Sequence, residues 1–324
     1  MPTPPSSMHA VLIRSFGGPE VVEIAQVDIP APKQGELLVK VEAASLNPVD
    51  WKIRAGKYPL VGQDKLPYVL GRDFSGTVVR APGVDGGFAP GTLVHGLLAI
   101  ERGSFAQYVV ARVDEIARVP GALDRLAAAS VPLAGLTAWQ GLFDHGALKT
   151  GQRVLIHAGA GGVGHLAVQF AKARGATVFA TASTDDVGFV RSLGADEVID
   201  YKKERFEDKA SDIDLVYDLI GGETQERSWA VLKRGGALVC TVAEPSQEKA
   251  ETYGVRALRY TAASNAGQLR EIDALIEAGQ VRPLVSRTFA FGDVEQALAS
   301  VEQGHGSGKT VLDVAATIVG VAPT

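Results

Sequence analysis

Cysteine, methionine and tryptophan are the scarce residues of this chain, which has one, two and three of them among its 324 residues. The single thiol, Cys240, cannot form an intramolecular disulfide and cannot supply the paired cysteines of a structural zinc site. It suits a reducing cytoplasm, the compartment expected here. No apolar run is long enough to span a membrane, and no charged-then-apolar leader pattern opens the chain. No basic tract exists either: 32 Lys and Arg stand against 37 Asp and Glu, a net charge of −5. The electrostatic footprint of a nucleic-acid binder is therefore missing. These absences count against nucleic acid and a membrane as partners.

What remains is an ordinary globular composition, 46% hydrophobic and 21% charged. The length favours two domains over one core. The start, "MPTPPSS", reads as a proline- and serine-rich extension, expected to be disordered before Met8. From there to about Asp124 short β-rich runs alternate with glycine and proline: "HAVLIRSF", "GELLVKVEAAS", "FSGTVVRA", "GTLVHGLLA" and "FAQYVVARV". That pattern predicts a small barrel or sandwich. Then the texture changes. A helical stretch, "DRLAAASVPLAGLTAWQGLFDHG", leads into the apolar strands "RVLIHA", "TVFATAS", "DLVYDLI" and "ALVCTV". Continuous apolar runs of this kind are expected of parallel strands buried on both faces. Helical segments lie between them, with Val163, Leu166, Ala167 and Phe170 spaced along one face. "RSLGADEVIDY" and "ERSWAVLKRGG" read as helices closed by glycine. The fold class is α/β, with a doubly wound parallel sheet in the middle. The tail predicts one more helix and one more strand.

The spacing Gly159-x-Gly161-x-x-Gly164 falls between a buried strand and an amphipathic helix, the context in which this motif cradles a pyrophosphate. Contacts are expected from Ala160, Gly161, Gly162 and Val163. NAD sites usually place an acid about 20 residues beyond such glycines. Here the second strand ends in Ala182, Ser183 and Thr184. Small hydroxyl residues leave room for a 2′-phosphate, and Tyr201, Lys202 and Lys203 can return to the same corner, so NADPH is expected, with Ser183 and Tyr201 on the phosphate. Asp185 and Asp186 count against this unless they serve as first-turn acids opposing the helix dipole. "GHGSGKT" near the end resembles a P-loop but carries Gln303 where the motif needs glycine. Its glycines instead end a helix before the last strand.

Taken together, "MHAVLIRSFGGPEVVEI", "NPVDWKIRAGKY", "GRDFSGTV", "AGAGGVGHLAVQFAK", "RSLGADEVIDY" and "SGKTVLDV" resemble the medium-chain dehydrogenase/reductase superfamily. The nearest group is its zinc-independent quinone oxidoreductase and enone reductase branch. The resemblance implies a GroES-like catalytic domain over residues 1–127 and 265–324 around a Rossmann NADP-binding domain over 128–264. It also implies a homodimer. It puts Asn47 and Thr137 near the nicotinamide, and Ile220 with Cys240, Thr241 and Val242 along the riboses. Zinc-dependent relatives carry a histidine in a Gly-His-Glu stretch, whereas this chain reads Gly71-Arg72-Asp73, so a cation takes the histidine's place. His157 and His165 read as buried or capping residues, and no metal is expected.

Hydride delivered to an enone or quinone leaves negative charge on a carbonyl oxygen, which without a metal needs hydrogen-bond donors. Lys52 and Tyr58 are the nearest donors in sequence. Tyr58 matches a tyrosine that assists proton transfer in similar enoyl reductases, and Lys52 matches the lysine of the "NPVDWK" subgroup. The competing reading is a solvated lysine and a loop-packing tyrosine. Two other functions remain open: an NADPH-binding protein with little turnover, and an acyl-thioester enoyl reductase.

Overall fold

The computed structural model describes residues 5–84, 86–304 and 306–316. The chain divides into two compact units. One gathers the chain up to Leu133 with Ser264–Glu277 and Leu284 onward; the other holds Ala134–Ala263 and Ala278–Pro283. In chain order the first unit contains β1 (Ser7–Ile13), β2 (Val22–Asp28), β3 (Glu36–Leu46), β4 (Tyr68–Val69), β5 (Asp73–Arg80), β6 (Leu93–Leu97), β7 (Tyr108–Arg112) and β8 (Ile116–Arg118). The second contains β9 (Arg153–Ile156), β10 (Thr177–Ala182), β11 (Glu197–Asp200), β12 (Ile213–Asp218), β13 (Leu232–Cys240) and β14 (Arg256–Arg259). The chain then returns to the first unit with β15 (Val285–Ala290) and β16 (Lys309–Asp313).

The first unit is β-rich. Among the described residues β2-β1-β4 form a small sheet, and β15-β16-β3-β5-β6-β8 form a larger one, with β7 also paired to β3. Strand β3 is central because nearly all its apolar side chains are buried, from Leu37 and Val39 to Ala44 and Leu46. Its core partners include Ile13, Leu70, Phe74, Phe105, Phe291 and Leu298. The tail strand β16 runs antiparallel to β3, with Thr310 opposite Leu46 and Leu312 opposite Ala44. That register carries Lys309 to the end of β3, where the helix Pro48–Arg54 begins. The opening extension departs from expectation at its inner end. Ser7 already pairs with Asp28, and Ser6 accepts from the Ile29 amide at 3.2 Å; residues 1–4 lie outside the described residues.

The second unit is one parallel sheet in the order β11-β10-β9-β12-β13-β14. The order reverses between β9 and β12, the topological switch point at which doubly wound sheets bind ligands. Val154, Leu155 and Ile156 are fully buried, as their continuous apolar run predicts. The helix Gly164–Ala173 is buried over more than the expected stripe, since Val168 and Gln169 are covered too. Its outer side meets the returning segment: Gln169 Nε2 donates to the Arg282 carbonyl at 3.1 Å and Oε1 accepts from the Arg282 amide at 2.8 Å. "LKRGG" does not end a helix. The helix Gly222–Ser228 stops earlier, and these residues open β13, where Leu232 pairs with Ile213 of β12. Pairing to a neighbouring strand has overridden the local glycine signal.

Candidate functional site

In the second unit the chain leaves β9 through His157 and Ala158 and enters the glycine loop. A side chain on Gly164 would put its Cβ 2.0 Å from the Ala158 carbonyl oxygen, so helix and loop touch backbone to backbone. A Cβ on Gly159 would meet Ala180 at 2.9 Å. At Gly161 the nearest protein atom would be 3.4 Å away, an ordinary contact. The outer two glycines are thus needed by the protein, while the middle one leaves open space above the loop. In the first turn of the following helix the His165 and Ala167 amides already donate to the Gly161 and Val163 carbonyls at 2.9 and 3.0 Å, so an anion here would draw on the amides at the very start of the turn. Loop shape and the open space above Gly161 fit the pyrophosphate of a dinucleotide, and Ala160, Gly161, Gly162 and Val163 are the residues that could hold it.

The loop rests on a buried polar support. Ala158 sits at φ 57°, in the left-handed region, and its amide donates to Thr181 Oγ1 at 3.2 Å. His157 lies between Thr181 Oγ1 (3.2 Å from Nδ1) and Ser228 Oγ (2.9 Å from Nε2). Because Ser228 Oγ donates to the Thr224 carbonyl at 2.7 Å, it must accept from His157. The proton is therefore on Nε2, and the imidazole is neutral. Burial, helped by Arg227, pushes its pKa down to about 4 against the pull of Asp218 and Glu207.

Other expected cofactor contacts lie at the carboxyl ends of the strands. Tyr201 follows β11, Ile220 lies two residues past β12 and Val242 two past β13; all are exposed, at 58%, 50% and 43%. Three large apolar side chains are thus exposed at the carboxyl ends of strands of this sheet. Buried Asp218 shapes the Ile220 loop, accepting from the Ile220 and Gly221 amides at 2.9 Å each and from Gln225 Nε2 at 3.1 Å. Cys240 is buried, and Thr241 is half-buried. The Cys240 sulfur is not merely core filler: it accepts from the Val242 and Ala243 amides at 3.2 and 3.4 Å. Burial pushes its thiol pKa up. Thr137 is buried, its carbonyl accepting from the hydroxyls of Tyr217, at 3.0 Å, and Tyr260. Ser183, at the end of β10, donates to Asp186 Oδ2 at 2.6 Å.

The first unit holds the other candidates. Lys52 is half-buried, 5.8 Å from the centre of the Trp51 ring. Tyr58 is half-buried and packs against the core. Neither the Lys52 ammonium nor the Tyr58 hydroxyl has a hydrogen-bond partner among the described residues, so both remain free to donate. Asn47 is different. Its Nδ2 donates to Asp73 Oδ1 at 3.0 Å and to the Ser45 carbonyl at 3.2 Å, and its Oδ1 accepts from Lys309 Nζ. Its amide therefore faces inward, and any contact with a cofactor uses the remaining lone pair or the backbone.

The Asn47 cluster is what the sequence did not reveal. Lys309 Nζ also donates to the Leu46 carbonyl at 2.9 Å. Asp73 accepts from Ser45 Oγ at 2.9 Å and from the Leu133 amide at 3.2 Å. Asp50 Oδ2 accepts from the Asn47 amide at 2.7 Å, closing the helix start, while its Oδ1 is buried with no partner among the described residues. Arg72, also buried, donates from Nε and Nη2 to the Leu98 carbonyl at 3.2 and 2.9 Å. Burial pushes the Asp50 carboxyl up to about 7; Asp73 adds to the rise, and the Asn47 amide opposes it. Burial also raises Asp73 against its donors and lowers Lys309 against both acids. The available signal was Lys309 in "SGKT", a cation at the head of a buried strand.

No group of three His, Cys, Asp or Glu side chains that could hold a metal occurs among the described residues. Comparison with known proteins matches residues 33–121 to the alcohol dehydrogenase GroES-like domain and residues 193–312 to the zinc-binding dehydrogenase family. The chain is 35% identical to the 2-methylene-furan-3-one reductase of Solanum lycopersicum, over 95% of this chain and 79% of that one. It is 36% identical to the chloroplastic NADPH-dependent alkenal/one oxidoreductase of Arabidopsis thaliana, over 95% and 80%. The solved quinone oxidoreductase of Coxiella burnetii superposes with a TM-score of 0.87 at 36% identity, over 95% of this chain and 99% of that one. With the β-rich unit, the parallel sheet and the glycine loop at its switch point, these matches show that the chain belongs to the medium-chain dehydrogenase/reductase superfamily, in the branch of the quinone and alkenal/one oxidoreductases.

Proposed function

We propose that this protein is a zinc-independent oxidoreductase that uses NADPH to reduce a quinone or the C=C bond of an α,β-unsaturated carbonyl. The observation that carries the reading is the glycine cradle at the β9/β12 switch point, with Tyr201, Ile220 and Val242 bare along the same edge. The names of the relatives above support the substrate classes. Zinc independence is supported by the residues present. Arg72 stands where the metal-binding histidine would be and is bound to a carbonyl, and the sole thiol is spent on two backbone amides.

When bound, the nicotinamide supplies hydride. Ala160–Val163 hold the pyrophosphate, Ser183 and Tyr201 meet the adenosine ribose, and Ile220 with Cys240–Val242 border the riboses. Asn47 and Thr137 lie toward the nicotinamide. Lys52 Nζ and the Tyr58 hydroxyl donate to the substrate carbonyl oxygen, where negative charge gathers. Tyr58 also holds the proton that the reduced product needs. A homodimer and a cytoplasmic location complete the reading, although the Arabidopsis relative is named chloroplastic.

The test is NADPH oxidation with a small panel of quinones and enones, for the wild type, Lys52→Ala and Tyr58→Phe. Losing one well-placed donor costs about 10²–10³ in turnover. Enone reduction should fall by this much, easily reduced quinones should fall less, and NADPH affinity should stay nearly unchanged. Unchanged enone rates in both variants would make the two residues ordinary surface. Tight NADPH binding without turnover on either class would favour a binding protein instead.

A further inference from the structure

The corner past β10 and β11 is where the adenosine ribose of a dinucleotide on the β9 loop comes to lie, since the group that reads the 2′ position sits beyond the second strand. Several of its donors are turned onto carboxylates. Ser183 Oγ donates to Asp186 Oδ2 at 2.6 Å. Thr184 Oγ1 donates to Asp200 Oδ2 at 2.7 Å, the Lys202 amide to Asp200 Oδ1 at 3.1 Å, and Lys203 Nζ lies 3.2 Å from Asp200 Oδ2. Burial works against ionised Asp200, yet its bonds to Thr184 and Lys203 hold its pKa below the ordinary value. These carboxylates therefore already hold the Ser183 and Thr184 protons before any ligand arrives.

A hydroxyl has one proton to give. While Ser183 gives its proton to Asp186, it has none for a 2′-phosphate. A phosphate reaching Ser183 also comes within a few ångströms of the Asp186 carboxylate, and like charges at such range repel. A ribose 2′-hydroxyl faces the opposite situation, because it brings its own proton and a carboxylate can accept it.

Building on the dinucleotide reading above, we propose that Asp186 is a specificity-determining residue: its carboxylate favours the 2′-hydroxyl of NADH, opposes the 2′-phosphate of NADPH, and so narrows the protein's preference for NADPH. Asp185 provides an internal control. It carries the same charge in the same turn, but it is exposed, and Ser183 donates to Asp186 instead.

The experiment measures dissociation constants for NADPH, NADH, 2′,5′-ADP and 5′-AMP with the wild type, Asp186→Asn, Asp186→Ser and Asp185→Asn. Asp186→Asn should tighten NADPH and 2′,5′-ADP by about tenfold, the effect of removing one close like charge near a surface. NADH and 5′-AMP should bind equally or more weakly. Asp186→Ser should move the ratio in the same direction, and Asp185→Asn should move it much less. The Asp186 gain should also shrink at high salt. NADPH-to-NADH ratios within twofold of the wild type in both Asp186 variants would overturn the proposal, as would an equal response in Asp185→Asn. A wild type that binds none of the four ligands would overturn the dinucleotide reading itself, and this proposal with it.

Discussion

Each unit of the molecule buries a polar cluster beside its own candidate residues, and the two clusters are built from opposite materials. In the first unit Asp50, Arg72, Asp73 and Lys309 are ionisable groups, all under 8% exposed, grouped around Asn47. In the second, a neutral histidine and two hydroxyls hold up the glycine loop. The ionic cluster must carry desolvation cost and depends on every partner being present. The neutral cluster avoids that cost while the imidazole stays unprotonated. Their responses to pH therefore have opposite signs. Asp50, raised to about 7, binds a proton in the fold that it has lost in the unfolded chain, so stability falls as pH rises from about 4 to 7. His157, lowered to about 4, refuses a proton that the unfolded chain accepts, so stability is full above about 6.5 and is lost as pH falls toward 4.

The comparison breaks most visibly at Lys309. Lys309→Met leaves Asp73 buried without its cation and frees the Asn47 amide, a loss of about 3–5 kcal/mol in stability. Lys309→Arg should recover part of it. Chemical denaturation checks both, and a Met variant as stable as the wild type would mean the cluster carries no net interaction. Next in size is Asp50→Asn, which keeps an acceptor for the Asn47 amide but cannot titrate. It should flatten a pH-dependent term worth up to roughly 4 kcal/mol, read as amide-exchange protection in β3 and β16 between pH 4 and 7. A slope equal to that of the wild type would rule out Asp50 as its source.

His157→Gln offers an amide donor for Ser228 and an acceptor for Thr181. It should remove an acid-side loss of about 3 kcal/mol, read in β9 and β10 and leaving β3 unaffected. The smallest stability effect belongs to Gly161→Ala, whose Cβ meets only an ordinary contact. Its melting temperature should shift by no more than about 2–4 °C, while NADPH affinity falls at least about tenfold because the new methyl occupies the ligand's approach. If affinity survives, the pyrophosphate does not sit over this glycine.

The second unit was the more legible in the sequence, because its signals are local. The glycine spacing, the apolar strand before it and the helix after the loop lie within about 20 residues of one another. Even there β11 and β14 escaped notice, since "EVID" and "RALR" are short and mixed in polarity, and "LKRGG" read as a helix end. Gly141 escaped too: a Cβ there would lie 2.4 Å from the Tyr217 ring and 2.5 Å from the Tyr260 hydroxyl, both far away in sequence. In the first unit "NPVDWKIRAGKY" exposed Lys52 and Tyr58 to view but concealed Asp50, which reads as an ordinary first-turn acid. Lys309 reads as the start of a strand, and its bond to Asn47 spans 262 positions.

By itself the sequence determined the family, the two textures of the chain and the glycine loop between β9 and the helix that follows it, because these follow from short-range spacing of glycine and apolar residues. Which polar groups would be free was decided only by tertiary structure. The β3–β16 register brings Lys309 to Asn47 and turns that amide inward. The end of β10 turns Ser183 onto Asp186, so a hydroxyl that looked like a phosphate donor already has an acceptor. Lys52 and Tyr58 meet no such partner among the described residues. Composition determines how many donors a chain owns; the fold decides which of them are already spent, because a buried polar group bonds to whatever the packing brings within reach.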